Sequence, residues 1–178
     1  MYKIILIIFL FPATLFGQIP IHDSIWLPMK LFIGEWTGKG GGEPGIGDYE
    51  RSYQWLFNGK YIEIHNKSTY PPSANYPEGE VHEDAGFISY DKARKTFVLR
   101  QFHVEGFVNQ YKLDSISSDG KTLIFITESI ENIPAGWKAK ESYQLINDDE
   151  FEETFELAAP NENFTSYSTA KFKRKNNP

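Results

Sequence analysis

The chain has 178 residues, enough for one domain, with no cysteine and a formal net charge of −6. Without cysteine, disulfides, thiol nucleophiles and a lipidated export signal are all excluded. The acidic balance argues against nucleic acid or an anionic membrane as partner.

Residues 1–17 read as a signal peptide, because Lys3 supplies a positive flank to the apolar run Ile4–Phe16. That run is too short to span a bilayer, which takes about 20 apolar residues, so no membrane insertion of the mature chain is expected. Cleavage after Gly17 would place the mature domain, 18–178, in the periplasm or outside the cell. Leu27–Ile33 then reads as a short helical turn.

Aromatic residues make up 16% of the chain, and period-two alternation recurs beyond that turn. Ten strands are expected at 34–41, 49–57, 61–68, 85–90, 96–103, 106–116, 122–130, 136–146, 151–158 and 164–174. Asn58-Gly59 predicts a type I′ hairpin turn. Asp91-Lys92-Ala93-Arg94, Ser118-Asp119-Gly120-Lys121, Asn147-Asp148-Asp149-Glu150 and Ala159–Asn163 supply further turns. The Pro-rich stretch Tyr70–Glu83 is the one long loop, either a lid or a plain connection. No helix is long enough for βαβ units. The fold class is therefore all-β: a single antiparallel up-and-down β-barrel of about ten strands with a short N-terminal helical turn.

Three strands show an apolar face that carries one charge. The faces are Tyr49, Arg51, Tyr53, Trp55 and Phe57; Trp137, Ala139, Glu141, Tyr143 and Leu145; and Phe151, Glu153, Phe155 and Leu157. A buried charge costs several kcal/mol unless it is paired or reaches water. A solid core has little reason to hold three, whereas a partly wet lumen does. At 97–104 either Arg100 or His103 points inward. The ligand-binding candidates are Arg51, Tyr53, Trp55, His82, Arg100, His103, Tyr111, Glu141 and Tyr143.

The segment Gly34-Glu35-Trp36-Thr37-Gly38-Lys39-Gly40, with basic residues on the last strand, resembles the Gly-x-Trp opening of calycin and lipocalin-like barrels. Its run Gly-Glu-Trp-Thr-Gly-Lys-Gly, and His82-Glu83-Asp84-Ala85-Gly86-Phe87 after the long loop, are similar to nitrobindin-like domains, ten-stranded barrels related to fatty-acid-binding proteins. The resemblance implies that Arg174, or Lys173, stacks on Trp36 to close the barrel, with Gly34 part of that closure. Nitrobindin-like domains bind haem through a histidine on the last strand. Here Tyr167 stands at that position, and strict alternation places it out of phase with Phe172. No cofactor is expected, haem being the alternative.

Other chemistry finds no support in the spacing. His22, His65, His82 and His103 lack the spacing of a zinc site. There is no Gly-x-Ser-x-Gly elbow. Gly38, Gly40, Gly41 and Gly42 end a strand and are not followed by a helix that could receive a phosphate. Catalytic residues are accordingly not assigned. Three functions remain: an exported barrel holding a largely apolar small molecule, a haem-binding sensor or isomerase, and a solid barrel that docks a protein through Tyr70–Val81. Whether it acts as a monomer or dimer is left open.

Overall fold

A computed structural model describes residues 25–43, 45–74 and 76–175; the signal segment expected at 1–17 lies outside them. A four-residue helix, α1 (Leu27–Lys30), precedes ten strands: β1 (Gly34–Gly42), β2 (Gly47–Leu56), β3 (Tyr61–Tyr70), β4 (Glu80–Asp91), β5 (Thr96–His103), β6 (Val108–Ile116), β7 (Thr122–Glu131), β8 (Lys138–Asn147), β9 (Glu150–Ala158) and β10 (Thr165–Arg174). Each strand pairs antiparallel with the next, and β1 pairs with β10, so the sheet closes on itself and leaves no open edge. This is the expected all-β barrel. Among the described residues no helix is long and apolar enough to cross a membrane.

The closure follows from a few residues. Trp36 and Arg174 are directly opposed across β1 and β10. The Arg174 guanidinium lies 4.1 Å from the Trp36 ring centroid. It also donates to the carbonyls of Ile33 (2.7 Å) and Leu31 (2.8 Å), just past α1. Gly34 has φ +126°, a backbone conformation that favours glycine, and a Cβ there would lie 2.9 Å from Arg174 Nη1 and push the guanidinium aside. Trp36 Nε1 donates to Phe32 O at 2.7 Å, tying the residues after α1 to the barrel floor.

Trp26, Met29 and Phe32 plug one end. Phe32 packs against Tyr53, Tyr143 and Phe151, while Trp26 packs against Trp55 and Phe97. Above this plug Ile62, Ile64, Leu99, Tyr111, Leu123, Phe125 and Phe172 fill the barrel. That half is a dry core.

Three local expectations are corrected. The β2–β3 connection is a four-residue loop, 57–60, in which Lys60 N–H bonds Leu56 O at 3.1 Å; it is not a two-residue I′ turn. Phe57 takes φ +49° there and is exposed, so it does not share the inner face. β3 runs on to Tyr70 and β4 starts at Glu80, which shortens the long loop to 71–79. Among the described residues, none of 71–79 lines the internal cavity described below.

Candidate functional site

Above the dry core the inward residues turn polar at one level. Register makes this a belt: Arg51 opposes Asn66, Asn66 opposes Asp84, Asp84 opposes His103, and Gln101 opposes Asn109. Across the barrel, Glu141 on β8 opposes Phe155, and Glu153 on β9 opposes Tyr143, so the two carboxylates are diagonal neighbours. Beyond the belt lies a cavity of about 510 Å³. The belt forms its floor. Its walls include Phe107, Ile130, Ile133, Pro134, Trp137, Phe155, Leu157 and Tyr167. The volume falls within the range of small-molecule sites, roughly 300–1,000 Å³.

One charge pair organises the floor. Arg51, 7% exposed, donates Nη2 to Glu153 Oε1 at 2.6 Å and Nε to Oε2 at 3.1 Å. Its Nη1 reaches the carbonyl of Glu50 at 2.9 Å, and its guanidinium lies 5.0 Å from the Phe172 ring centroid. Burial alone would lower the Arg51 pKa; the charge and hydrogen bonds of Glu153 raise it instead. Arg51 is thus a committed partner of Glu153, not a free cation.

The rest of the belt is short of partners. Asn66 Nδ2 donates to Asp84 Oδ1 at 2.8 Å, and Gln101 Nε2 approaches the same oxygen at 3.5 Å. Asn109 Nδ2 donates to Tyr111 Oη at 2.9 Å and lies 3.2 Å from His103 Nε2. These contacts use the amide nitrogens and turn the amide oxygens elsewhere. Asn66 Oδ1, Gln101 Oε1, Asn109 Oδ1 and Glu141 Oε2 are buried without a hydrogen-bond partner among the described residues. All four residues line the cavity.

Burial governs the protonation of this floor. It raises Asp84 to about 6, against the pull of Arg51. It lowers His103 to about 4, against Glu105, so the imidazole is neutral. It also drives Glu141 well above the usual carboxylate range, with the charge of Glu153 adding to the effect. Asp84 stabilises the fold as the neutral acid, a contribution present below pH about 4 and lost as pH rises through 6. His103 stabilises it as the neutral base, a contribution lost as pH falls from 6.5 through about 4. Relative to wild type, Asp84→Asn should therefore gain stability as pH rises across this window, by about 2–3 kcal/mol. His103→Gln should gain as pH falls. Urea unfolding at several pH values checks both, and profiles parallel to wild type would contradict them.

Of the sequence candidates, Arg51, His82, His103 and Glu141 line the cavity. His82 is held at the mouth by Glu105 on one ring nitrogen and by Glu80, at 3.0 Å, on the other. Arg100 is corrected: it faces outward, bonding Gln110 at 3.2 Å and Ser89 at 3.3 Å, while His103 is the inward member. Trp55 is corrected as well, since it lies at the plugged end against Trp26. Tyr53, Tyr111 and Tyr143 point inward but belong to the dry half, below the cavity. Tyr167 does reach the cavity, because a register shift between Ser166 and Ser168 breaks the strict alternation. Asn66, Asp84, Gln101 and Asn109 were missed. Their signal was available only by carrying the inward phase of Ile62-Ile64, Ile88 and Leu99 through polar positions.

Two features of the lining disfavour haem, although His82 and His103 also line the cavity. Four carboxylates (Asp84, Glu105, Glu141 and Glu153) line the cavity, and Arg51 is already paired, which disfavours an anionic porphyrin. Burial and neighbouring acidic groups raise the Tyr167 phenol, opposing the phenolate that would bind iron. A larger hollow, about 640 Å³, lies across β1–β5 on the outer face, where exposed Glu35, Glu50, His65 and Lys67 are solvated. The interior cavity, with its buried unpartnered atoms, is the candidate site. Among the described residues no group of three or more His, Asp or Glu is placed to hold a metal ion.

No protein-family model and no curated protein sequence matches the chain. Among solved structures, Rv2717c from M. tuberculosis is similar, with a TM-score of 0.66 and 16% identity over 85% of this chain and 98% of that one. A de novo designed fluorescence-activating β-barrel overlaps more loosely, with a TM-score of 0.41 and 15% identity over 82% of this chain and 94% of its own. EF1p2_mFAP2b bound to DFHBI overlaps with a TM-score of 0.44 and 11% identity over 83% and 97%. At these identities the likeness to Rv2717c carries the barrel fold, and the two looser overlaps say nothing about this chain's ligand.

Proposed function

We propose that the protein is an exported, calycin-like binding barrel that holds one small molecule with an apolar body and a polar end. The observation that carries this reading is the cavity of about 510 Å³, apolar at its walls, whose floor presents four buried, unpartnered polar atoms. An unpartnered buried polar atom costs about 1–3 kcal/mol. A ligand that bonds to several at once recovers that cost, while Trp137, Phe155 and Leu157 remove its apolar part from water. Export is supported by Lys3 and the apolar run Ile4–Phe16. The calycin kinship is supported by the Trp36–Arg174 closure. No catalytic role is proposed.

Titration with the neutral solvatochromic dye Nile red tests the reading. The expected result is saturable uptake at one dye per barrel, abolished by Ser168→Trp, which fills the lumen from β10. Haem added to the same sample should show no sharpened, shifted Soret band; such a band would favour the haem reading.

A further inference from the structure

The four unpartnered atoms on the cavity floor share one property that size and polarity alone do not require. Asn66 Oδ1, Gln101 Oε1, Asn109 Oδ1 and Glu141 Oε2 are all oxygens, three of amides and one of an acid that is a full acceptor once ionised. No unpartnered nitrogen accompanies them among the buried atoms of the described lining residues. The amide orientations have a physical cause. Asp84 draws the nitrogens of Asn66 and Gln101 towards itself, and His103 and Tyr111 Oη occupy the nitrogen of Asn109. Flipping the Asn66 or Gln101 amide would set its oxygen against the Asp84 carboxylate, whereas the Asn109 amide faces a phenol and an imidazole that can each donate or accept. Asp84 therefore fixes two of the acceptors, Asn66 Oδ1 and Gln101 Oε1.

Charge points the same way. The one arginine in the lining is matched bidentately by Glu153. That leaves Glu141 and Asp84 on the floor without a cation of their own. Glu141 is buried, 7% exposed, and Asp84 is half-buried. A ligand carboxylate would meet the acidic groups of this floor, with the arginine of the lining already committed to Glu153. A neutral hydroxyl would offer a single proton to four acceptors.

We propose that the polar end of the ligand is a protonated amine, whose ammonium donates to Glu141 and to the amide oxygens of the belt. The proposal deepens the binding-barrel reading and rests on it. A primary ammonium carries three donors and a full positive charge, which matches a floor of several acceptors and surplus carboxylates. The apolar body extends towards Trp137, Phe155 and Leu157, where a second charge has no partner. The fatty-acid headgroup, for which a free Arg51 would have been the anchor, is the wrong sign for this cavity.

Octylamine, octanol and octanoate share one chain and differ only in the head. Each is titrated near pH 7.5 against Nile red bound to the purified mature protein, and each is also titrated calorimetrically without dye. Octylamine should bind at least tenfold tighter than octanol, and octanoate weakest. In Glu141→Gln the amine-to-alcohol ratio should fall to near one, with cooperative unfolding confirming an intact barrel. Asp84→Asn, which removes the other surplus carboxylate, should lower the ratio as well. Octanoate binding as tightly as octylamine would overturn the proposal, as would a ratio unchanged in both variants. If none of the three ligands nor the dye binds, the binding-barrel reading itself fails. If dye and octanol bind and octylamine has no advantage, only the amine assignment fails.

Discussion

Arg51→Met should destabilise the barrel by about 3–5 kcal/mol, because it leaves Glu153 as an uncompensated carboxylate in the interior. Arg51 and Glu153 side chains are 6% and 10% exposed, so water replaces the lost partner only poorly. The methionine stem fills part of the arginine's volume, which confines the loss mainly to the charge. Two hydrogen bonds from the guanidinium to Glu153 disappear, as do those to the carbonyls of Glu50 and Lys67. The paired variant Arg51→Met with Glu153→Leu should recover most of the loss, since two packed apolar groups replace a desolvated ion pair at little net cost. Urea unfolding of the single and double variants measures both. A single variant within about 1 kcal/mol of wild type would mean that Glu153 finds solvent and that β9 does not turn this face inward.

Trp36→Ala should cost about 5 kcal/mol, at the upper end of the range for buried aromatic truncation. Trp36 is 1% exposed and meets Phe151 edge-on at 4.8 Å. Its removal opens a cavity where β1, β10 and the plug converge. It also leaves the Phe32 carbonyl without its donor and Arg174 without the ring beneath it. The total stability of a domain is about 5–15 kcal/mol, so this single change brings the barrel near its unfolding threshold. Trp36→Phe should cost far less, about 1–3 kcal/mol, since it retains an aromatic ring and loses chiefly the N–H. Equal losses for the two variants, measured by urea unfolding, would show that the hydrogen bond and not the packing carries the closure.

Much of this architecture was legible because alternation speaks directly of inside and outside. Arg51, Glu141 and Glu153 could be placed in the lumen from the aromatic residues two positions away on the same strand. Height along the barrel axis is another matter. It depends on strand tilt and stagger, which no single strand encodes. Tyr53, Tyr111 and Tyr143 were rightly inward but fell in the dry half for that reason. Local breaks in phase account for other differences. The left-handed turn at Phe57 and Asn58 carries Phe57 out to solvent, and the irregularity beside Tyr167 brings that residue to the cavity. At Glu80–Asp84 the strand was hidden because its inward residues, His82 and Asp84, are polar, so hydrophobic alternation had nothing to register. The same polarity that concealed this stretch is what makes it part of the site.

The central claim is that one small molecule occupies the lumen above the polar belt. Nile red titration of wild type beside Ser168→Trp tests it most directly, since Ser168 lines the cavity on β10 and takes no part in the Arg51–Glu153 pair. The account predicts one blue-shifted dye per wild-type barrel, and none in Ser168→Trp despite unchanged cooperative unfolding. Dye uptake equal in the two proteins, or absent from both, would contradict it.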